Sequence, residues 1–557
     1  MKILIRSTSF LMQKTNYWNN LSQFKIDFGE YGNLFNLHQS KKEFNFEISV
    51  IFLQDIIDHY HNEPKEVLKE KHKINKILDL IKKKIKFQKN INHVFFISGY
   101  VYSNTINTLK YESSYEKIVN FFFKSLYEIS KNCQNIYVVN LDSVFADQGL
   151  KNCFDNRNYS TLRCRLSIGG IKILTKKIKE TIESLTTPRK KVLLLDCDNT
   201  LWGGVLSEDG MENIKLGQDG IGLAFIEFQK AIKKIKKTGV ILVLLSKNNE
   251  KDVKNLFKNH KAMILKDKDI TSYKVNWKEK SNNIIKISQE LFLNINSFVF
   301  WDDNPVEREK VRRNFENIEV IEPDEEVSNW SKQLLEYKGF SKHFIVKEDI
   351  KKTDQYRSRN SFLDSKSNSK NEISFLKKLK IKPKLVKLNK SNLSRAAQLS
   401  AKTNQFNFNS KRLNQTYLSE AKKNSSCYLI RLKDDFGDHG YISLIYLKKG
   451  KNFLFVDQFL ISCRILGRYV ENWILNKVKK ISKKQKIKNL IFEFIKTDNN
   501  QVAENFIKNN NFKILQKKSL DTRCQKEIYR LLSSKKSKLL ILPLDSKIKH
   551  LEIYGHK

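Results

Sequence analysis

The sequence has few prolines, few glycines and no long apolar run. Its 557 residues include 6 prolines, 19 glycines and 7 cysteines. The cysteines form no Cys-x-x-Cys pair, which excludes a disulfide scaffold or a zinc ribbon and fits a reducing cytosol. No apolar run reaches the roughly 18 residues that a membrane helix needs. The opening Met1–Phe10 turns polar too early for a signal peptide, so we expect a cytoplasmic protein without a membrane span.

Acidic residues are also scarce relative to basic ones. The chain has 60 Asp and Glu against 103 Lys and Arg, a formal net charge of +43. Such a charge is typical of nucleic-acid binding. The excess is mostly lysine, however, and it is dispersed among abundant Asn and Ile, which indicates a genome-wide composition bias. The densest run, 65–90, has apolar residues at helical spacing, so its lysines predict a solvated helix face. We expect no specific nucleic acid as partner; phosphorylated or acidic partners suit the charge equally well.

Hydrophobic residues make up 40% of the chain, enough for several cores. Strand-like runs alternate with amphipathic helices in two successive regions, which favours parallel α/β sheets. A proline and several charges separate these regions near Pro188. The predicted division is an α/β domain at 1–187, a second at 188–330, a polar linker at 331–374, a mixed α/β domain at 375–535 and a basic tail at 536–557.

Polar side chains follow three buried strands of the middle domain (188–330), at the point where each strand ends. They are Asp196, Asp198 and Thr200 after VLLL, Ser246, Lys247 and Asn248 after GVILVLL, and Asp302 and Asp303 after SFVFW, with Lys280 before the last strand. Ligands of parallel sheets bind at the carboxyl ends of the strands. We therefore expect these side chains to share one crevice.

The residue types in this crevice suit the transfer of a phosphoryl group. A dianionic phosphoryl group approaches a carboxylate only when cations offset the repulsion, and a lysine with Mg²⁺ would do so. Carboxylate oxygens suit Mg²⁺, and the sequence offers no His or Cys cluster for a softer metal. A capped turn would explain one Asp-x-Asp-x-Thr pattern by itself. It does not explain four motifs in order at successive strand ends.

Residues 196–200, Asp-Cys-Asp-Asn-Thr, match the Asp-x-Asp-x-Thr signature of the haloacid dehalogenase (HAD) superfamily of phosphotransferases. This resemblance implies that Asp196 is the nucleophile and Asp198 the general acid and base. It also implies that Lys280 neutralises the negative charge on the nucleophile and on the phosphoryl oxygens. Lys274 is a weaker candidate for this role. The remaining implied roles are substrate binding by Thr200, Ser246, Lys247 and Asn248, and Mg²⁺ binding by Asp196, Asp198, Asp302 and Asp303.

Longer motifs resemble the FkbH-like family of HAD proteins over roughly residues 150–515. They are Leu201–Val205, Phe298–Arg308, Lys402–Asn407, Phe436–Gly440 and Ser462–Arg468. The family implies a multidomain α/β fold in which a central HAD-like Rossmannoid parallel sheet is flanked by an SGNH-like α/β domain and a GNAT-like α+β domain. The SGNH-like domain is expected to be non-catalytic, because no Gly-Asp accompanies Ser7 and residues 140–185 contain no histidine.

The turn at Arg464–Arg468 resembles the loop with which GNAT acyltransferases bind pyrophosphate. The resemblance implies that Arg464, Gly467 and Arg468 bind CoA or the phosphopantetheine arm of an acyl carrier. Tyr469 replaces a small residue there and Ile507 lies near the place of the usual GNAT tyrosine, which disfavours turnover of free acetyl-CoA. Cys463 is a candidate for an acyl thioester, because the adjacent arginine would lower its pKa.

FkbH-like proteins are associated with loading a glyceryl unit onto a carrier protein. The resemblance implies a Mg²⁺-dependent phosphatase and acyltransferase of biosynthesis, which takes a phosphoglyceryl group from 1,3-bisphosphoglycerate and loads it on an acidic acyl carrier protein. An alternative acceptor is an amino sugar in surface-polysaccharide assembly, and the sequence does not separate the two. A third hypothesis is a basic nucleic-acid-binding protein with a vestigial HAD site, against which the complete set of charged groups argues.

Overall fold

The computed structural model of the protein divides into two compact units, Met1–Thr187 and Pro188–Lys557. The structure describes residues 1–13, 15–30, 32, 44–57, 64–88, 91–100, 114–133, 135–341, 352–367, 369, 371–424, 426–450, 452–487, 489–515, 522–532 and 537–554. No helix in these ranges combines the length and the apolar character that crossing a bilayer requires.

The first unit is built on a five-stranded parallel sheet of order β2-β1-β3-β4-β5. Its central strand β3 is buried along its whole length, as expected for a strand covered on both faces. The strands are β1 (Lys2–Ser7), β2 (Lys25–Phe28), β3 (Phe46–Phe52), β4 (Asn92–Ser98) and β5 (Ile136–Asn140). The helices are α1 (Pro64–Phe87), α2 (Ser114–Asn132), α3 (Leu141–Ala146), α4 (Leu150–Cys153), α5 (Asn156–Leu162) and α6 (Ile168–Thr186).

The second unit begins with another parallel sheet, of order β10-β9-β6-β7-β8. Strands β6, β7 and β9 are buried throughout, because helices cover both faces of the sheet. The strands are β6 (Val192–Leu195), β7 (Ile241–Ser246), β8 (Ser272–Val275), β9 (Phe298–Trp301) and β10 (Glu319–Val320). The helices are α7 (Leu206–Asn213), α8 (Gly220–Lys237), α9 (Glu250–Asn259), α10 (Lys280–Leu291), α11 (Pro305–Asn314) and α12 (Val327–Glu336).

The rest of the second unit forms an eight-stranded mixed sheet of order β11-β13-β14-β15-β16-β18-β17, with β12 paired to β15. Only β15 and β16 run parallel among these pairs. The strands are β11 (Lys382–Lys387), β12 (Phe406–Asn407), β13 (Ser426–Asp434), β14 (Gly437–Lys449), β15 (Phe453–Ile461), β16 (Asn489–Phe494), β17 (Lys513–Ile514) and β18 (Lys538–Leu542). The helices are α13 (Lys352–Ser367), α14 (Glu372–Lys378), α15 (Leu393–Lys402), α16 (Gln415–Asn424), α17 (Val470–Lys484), α18 (Gln501–Asn509) and α19 (Thr522–Leu531).

These three sheets confirm the predicted multidomain α/β fold. The structure nevertheless corrects two expected segments. Within the predicted linker, α13 buries Tyr356, Arg359 and Phe362, although its composition is polar. Within the predicted basic tail, the apolar run of β18 pairs with β16 on one side and β17 on the other, because burying Leu540 and Leu542 outweighs the neighbouring charges. Residues 342–351, 368, 370, 536 and 555–557 of these two segments lie outside the described residues.

Candidate active site

The ends of three parallel strands bring the predicted phosphoryl-transfer residues together. Leu195, the last residue of β6, lies opposite Leu244 of β7 and Trp301 of β9. The next residue, Asp196, donates its backbone N–H to the carbonyl oxygen of Trp301 at 3.1 Å. The carboxylate-bearing residues that follow β6 and β9 therefore emerge at the same edge of the sheet.

Lys280 lies between two of these carboxylates. Its Nζ is 2.5 Å from Asp196 Oδ1 and 2.5 Å from Asp302 Oδ2. Lys280 is the first residue of α10 and is only 4% exposed. Burial lowers the pKa of an ammonium group, but the two adjacent carboxylates outweigh it, and the pKa of Lys280 is raised. The lysine is thus a fixed positive charge beside the predicted nucleophile.

Three carboxylates cluster around this lysine and leave an excess of negative charge. Ligand oxygens of Asp196, Asp302 and Asp303 all lie within 4.8 Å of one another. Burial raises the pKa of Asp196 and of Asp303. Burial, with the neighbouring Asp196, raises the pKa of Asp302 to about 6. One ammonium group does not offset three carboxylates, so a hard cation with oxygen ligands suits this donor set.

Asp198, the fourth predicted metal ligand, is turned away from this cluster. Its Oδ1 accepts hydrogen bonds from the indole N–H of Trp202 and the backbone N–H of Leu206, each at 3.0 Å. Its Oδ2 accepts one from the Asn248 amide at 2.8 Å. Burial raises the pKa of Asp198, despite these donors. The carboxyl group is held by three donors, and its environment favours the protonated form that a general acid requires.

The residues predicted to bind the phosphate have mixed positions. The Thr200 hydroxyl donates to Asp303 Oδ1 at 3.0 Å, so it orients a carboxylate of the cluster. Ser246 is buried beside the Cys197 thiol. Lys247 Nζ lies 3.1 Å from Glu307 Oε1. Thr200 and Ser246 thus lie inside the crevice, and Lys247 is paired at its rim.

The lysine and cysteine alternatives in this region also have defined positions. Lys274, the weaker candidate for the charge-neutralising lysine, pairs with Glu290 at 2.6 Å. The Cys197 thiol is fully buried, and burial, with the carboxylates of Asp196 and Asp198, raises its pKa. A raised pKa makes Cys197 a poor nucleophile, as its acidic neighbours predict.

Sequence reasoning missed a residue that supports the acidic pair from behind. Arg308 Nη1 donates to the carbonyl oxygens of Asp302 and Asp303, at 2.8 and 2.6 Å. The guanidinium group also pairs with Glu322. The run Asp-Asp-Asn-Pro-Val-Glu-Arg contains the signal, since Arg308 follows Asp303 by five residues and lies about one turn into α11. Arg308 therefore fixes the backbone that carries two carboxylates of the site.

Comparison with solved structures identifies a similar phosphatase. The N-terminal part of the Bacteroides fragilis protein BF1531, described as containing a phosphatase domain complexed with Mg, has 26% sequence identity to this chain and a TM-score of 0.51. The match covers 60% of this chain and 93% of that one. The predicted resemblance to the FkbH-like phosphatases is confirmed. No protein-family model and no curated protein matches the sequence.

Shorter stretches of the chain match GNAT-family structures with low scores. A GNAT-family acetyltransferase from Staphylococcus aureus has 15% identity and a TM-score of 0.23, covering 29% of this chain and 100% of that one. Rv2747 from Mycobacterium tuberculosis, solved in complex with CoA and NLQ, has 10% identity and a TM-score of 0.23, covering 29% of this chain and 98% of that one. Scores this low carry no conclusion about ligands.

The turn that resembles a pyrophosphate loop points its arginines into the protein. Arg468 is 0% exposed, and its Nε pairs with Asp434 Oδ2 at 2.7 Å. Arg464 bonds the Gln355 side chain and the carbonyl oxygen of His439. Gly467 has a φ of +90°, and an added Cβ would meet Lys366 and Phe362 of α13 within 4 Å. In this structure these residues anchor α13 and the β13–β14 hairpin, and their expected ligand-binding role stays a prediction.

Tyr469 and Ile507, the two departures from the GNAT pattern, are also packed against the protein. Tyr469 has a φ of +55°, a conformation that favours glycine. Its ring stacks on that of His550, with centroids 4.2 Å apart. Ile507 packs against the apolar core of the C-terminal sheet. Both side chains are half-buried against neighbouring residues.

Where β15 and β16 part, the chain itself fills the gap. The two strands pair in parallel only as far as Val456 and Phe492. Beyond that point Phe408 donates its N–H to the carbonyl oxygen of Phe459 at 3.1 Å, and Ile495 donates to that of Phe408 at 2.8 Å. The segment after β12 therefore takes the backbone hydrogen bonds that an extended ligand would otherwise make between the two strands.

Helix α13 connects the two sheets of the second unit on the side remote from Asp196. Lys352 donates to the carbonyl oxygen of Gly239 and Asn360 to that of Thr271, residues that precede β7 and β8. On its other side, Arg359 donates to the carbonyl oxygen of Cys463 at 2.9 Å. The candidate thioester residue Cys463 is thus tied, through α13, to the amino-terminal edge of the central sheet.

Glu471 lies in the first turn of α17, just after the turn at Arg464–Arg468, and tests how tightly this part of the C-terminal domain is packed. Its Oε2 is buried without a hydrogen-bond partner among the described residues, and burial raises its pKa from 4.5 to about 7. The protonated carboxyl thus stabilises the fold fully below pH 4.5, and this contribution is lost as the pH rises through about 7. We expect Glu471→Gln to exceed the wild type in unfolding free energy by about 1–3 kcal/mol at pH 8 and to match it near pH 4.

Urea denaturation at the two pH values measures this difference. Glu316→Gln, which neutralises an exposed carboxylate, is the matched control and should show no such pH-dependent gain. A Glu471→Gln variant that gains nothing at pH 8 would contradict the proposed cost of ionising this residue.

In the N-terminal domain, the early hydroxyl residues serve backbone contacts. Ser7 Oγ accepts the N–H of Ser9 at 3.1 Å, and Ser9 Oγ donates to the carbonyl oxygen of Arg163 at 2.8 Å. Thr8 Oγ1 accepts the N–H of Phe52 at 2.9 Å. That Ser7 is not an activated nucleophile stays a prediction.

Proposed function

We propose that this protein is a Mg²⁺-dependent phosphatase of the FkbH-like kind, with Asp196 as its nucleophile. The observation that carries the proposal is the placement of Lys280 Nζ at 2.5 Å from both Asp196 and Asp302, with Asp303 in the same cluster. A buried lysine beside a buried carboxylate is what attack on an anionic phosphoryl group requires.

The residues divide the reaction between them. Asp196 attacks phosphorus and forms an aspartyl phosphate, while Lys280 offsets charge on the phosphoryl oxygens. Asp198, held by Trp202 and Asn248, gives a proton to the leaving oxygen and then takes one from the water that hydrolyses the intermediate. The raised pKa of Asp198 supports the first of these two roles.

The carboxylates of Asp196, Asp302 and Asp303 would hold the Mg²⁺. They fit the ion because they are hard oxygen ligands within 4.8 Å of one another and carry more negative charge than Lys280 offsets. The ion would supply Lewis-acid stabilisation of the phosphoryl oxygens. The similar phosphatase from Bacteroides fragilis is described as complexed with Mg, which supports the same choice of metal.

The finer proposal concerns the substrate and the partner. We propose that phosphate leaves a phosphoglyceryl group that originates from 1,3-bisphosphoglycerate and is carried on the phosphopantetheine arm of an acyl carrier protein. The formal charge of +43 supports an acidic partner and a phosphorylated donor. For the acyl transfer itself, the half-buried Cys463 remains the candidate thioester residue, since Arg464 and Arg468 are engaged inside the protein.

Removal of the metal tests the proposed phosphatase. Phosphate release should fall to background in excess EDTA and return when Mg²⁺ is added in excess of the chelator, because the phosphoryl group would otherwise meet three carboxylates. Mg²⁺ should also raise the thermal midpoint of the wild type at pH 7.5, but not that of an Asp302→Asn, Asp303→Asn double variant. Full activity in EDTA would contradict the proposal.

A further inference from the structure

Short loops border the phosphoryl site at the carboxyl ends of the strands. Within residues 188–341, all of which the structure describes, the loops after three of the strands are short: Lys247–Asn249, Asn276–Glu279 and Asp302–Asn304. The segments after β6 and β10, residues 196–219 and 321–326, are longer, and the first contains the short helix α7. No separate domain is inserted after any strand of this sheet within residues 188–341. Within this domain, the loops themselves are placed to contact the organic part of a substrate.

One of these short loops exposes a tryptophan. All six tryptophans of the chain are described, and only Trp277 is mostly exposed, at 70%. Its neighbour Asn276 donates its N–H to the carbonyl oxygen of Ser246 at 3.0 Å and accepts a hydrogen bond from Asn283. Lys280 follows three residues later, no more than about 10 Å away along the chain. The loop that carries the exposed indole is thus anchored to Ser246 and leads directly into Lys280.

The other segments around the site carry a second exposed apolar side chain and a lysine that is already paired. Val306, 59% exposed, lies in the first turn of the helix that follows Asp302 and Asp303. One charged group of the rim is paired on two sides: Lys247 Nζ lies 3.1 Å from Glu307 and 3.6 Å from Glu279. The loops that carry the catalytic residues therefore offer exposed apolar surface, while Lys247 is already engaged by two carboxylates.

We propose that Trp277 is a specificity-determining residue, which packs against the arm of an acyl-pantetheine whose far end carries the phosphate. The planar amides and methyl groups of such an arm match an indole and a valine. A bare sugar ring would instead seek hydrogen-bonding groups, and Lys247, Glu279 and Glu307 of this rim already pair with one another. This inference rests on the proposed phosphatase function. It adds that the site distinguishes arm-bound phosphoglyceryl groups from small free phosphates.

The test compares two substrates with the same phosphorylated end. Phosphate release is measured for 3-phosphoglyceryl-pantetheine thioester and for 3-phosphoglycerate, with the full chain and Mg²⁺. The wild type should prefer the thioester. Trp277→Ala should lower kcat/KM for the thioester about tenfold, mainly through KM, and leave that for 3-phosphoglycerate unchanged. Trp277→Phe should restore most of the loss.

A binding measurement and a matched variant complete the experiment. In Asp196→Asn, the thioester should shield tryptophan fluorescence from acrylamide quenching, and this shielding should be lost when Trp277→Phe is added. Leu335→Ala, which removes an apolar side chain 43% exposed on α12, should leave both rates unchanged.

The possible failures are distinguishable. Equal wild-type rates on the two substrates, or an unchanged ratio in Trp277→Ala, would overturn the role of Trp277 and leave the phosphatase standing. If the wild type instead preferred an amino-sugar phosphate, and Trp277→Ala abolished that preference, the ligand of Trp277 would be a sugar and not the pantetheine arm. Absence of Mg²⁺-dependent release from any of these substrates would refute the phosphatase proposal, and this inference with it.

Discussion

Replacing Asp196 by asparagine should reduce phosphate release at least about 10⁴-fold, the scale on which removal of a nucleophile acts. The amide keeps the shape of the side chain but lacks the charge that attacks phosphorus. Lys280 retains Asp302 as a partner at 2.5 Å, so the crevice should stay folded. Release of inorganic phosphate, measured at saturating Mg²⁺, is the direct readout. On a loaded carrier, the variant should leave the phosphoglyceryl group intact, heavier by one phosphate in an intact-mass spectrum.

Glu309→Gln provides the matched control for this variant. It also neutralises one carboxylate of the middle domain, but Glu309 is exposed on α11 and pairs with Arg313 at the surface. Its phosphate release should equal that of the wild type. An Asp196→Asn protein with near wild-type release would show that another group is the nucleophile.

Replacing Arg468 by methionine should cost the C-terminal domain about 3–5 kcal/mol of unfolding free energy. The change removes the arginine from the buried Asp434 carboxylate, which keeps His439 as a partner at 2.8 Å. Losing one partner of a buried ion pair has this magnitude. It also removes the guanidinium group from the ring of Phe362, 3.9 Å from its centroid. Urea denaturation and thermal midpoints measure the loss.

The control is Arg431, on the β13–β14 hairpin that also carries Asp434. Arg431 pairs with Asp438 at 2.6 Å, but its side chain is 46% exposed, so Arg431→Met should cost no more than about 1 kcal/mol. If Arg468→Met were as stable as the wild type and yet failed to load a carrier protein, the ligand-binding role implied by the GNAT resemblance would regain support.

The central sheet could be predicted because its signals are local. Runs such as VLLL and GVILVLL are continuous and apolar, which is typical of strands covered on both faces, and each is followed by polar residues at its carboxyl end. Parallel pairing then places Asp196, Asp302 and Lys280 within reach of one another without further information. The roles of these residues remain predictions that activity must test.

The C-terminal turn could not be predicted in the same way, because its partners are distant in sequence. An arginine beside a glycine in a strand-to-helix turn has the same local pattern whether it faces a phosphate or a buried aspartate. Arg468 finds Asp434, 34 residues away, and Cys463 contacts Arg359, 104 residues away. The burial of helix α13 could not be predicted from its sequence pattern. Its buried face combines Tyr356, Arg359 and Phe362 and forms no regular apolar stripe.

The position of α13 has a kinetic consequence for the proposed pair of reactions. Asp196 follows the carboxyl end of β6, whereas α13 and Cys463 are joined to the opposite edge, about five strand residues or roughly 16 Å away. A three-carbon acyl group cannot span that distance, so a group bound at Cys463 is out of reach of the nucleophile. Acyl transfer at Cys463 and dephosphorylation at Asp196 are then two separate binding events, and the carrier arm must diffuse from one site to the other between them. The phosphorylated intermediate should accumulate transiently and be open to capture by added phosphatase, with a lifetime set by carrier concentration.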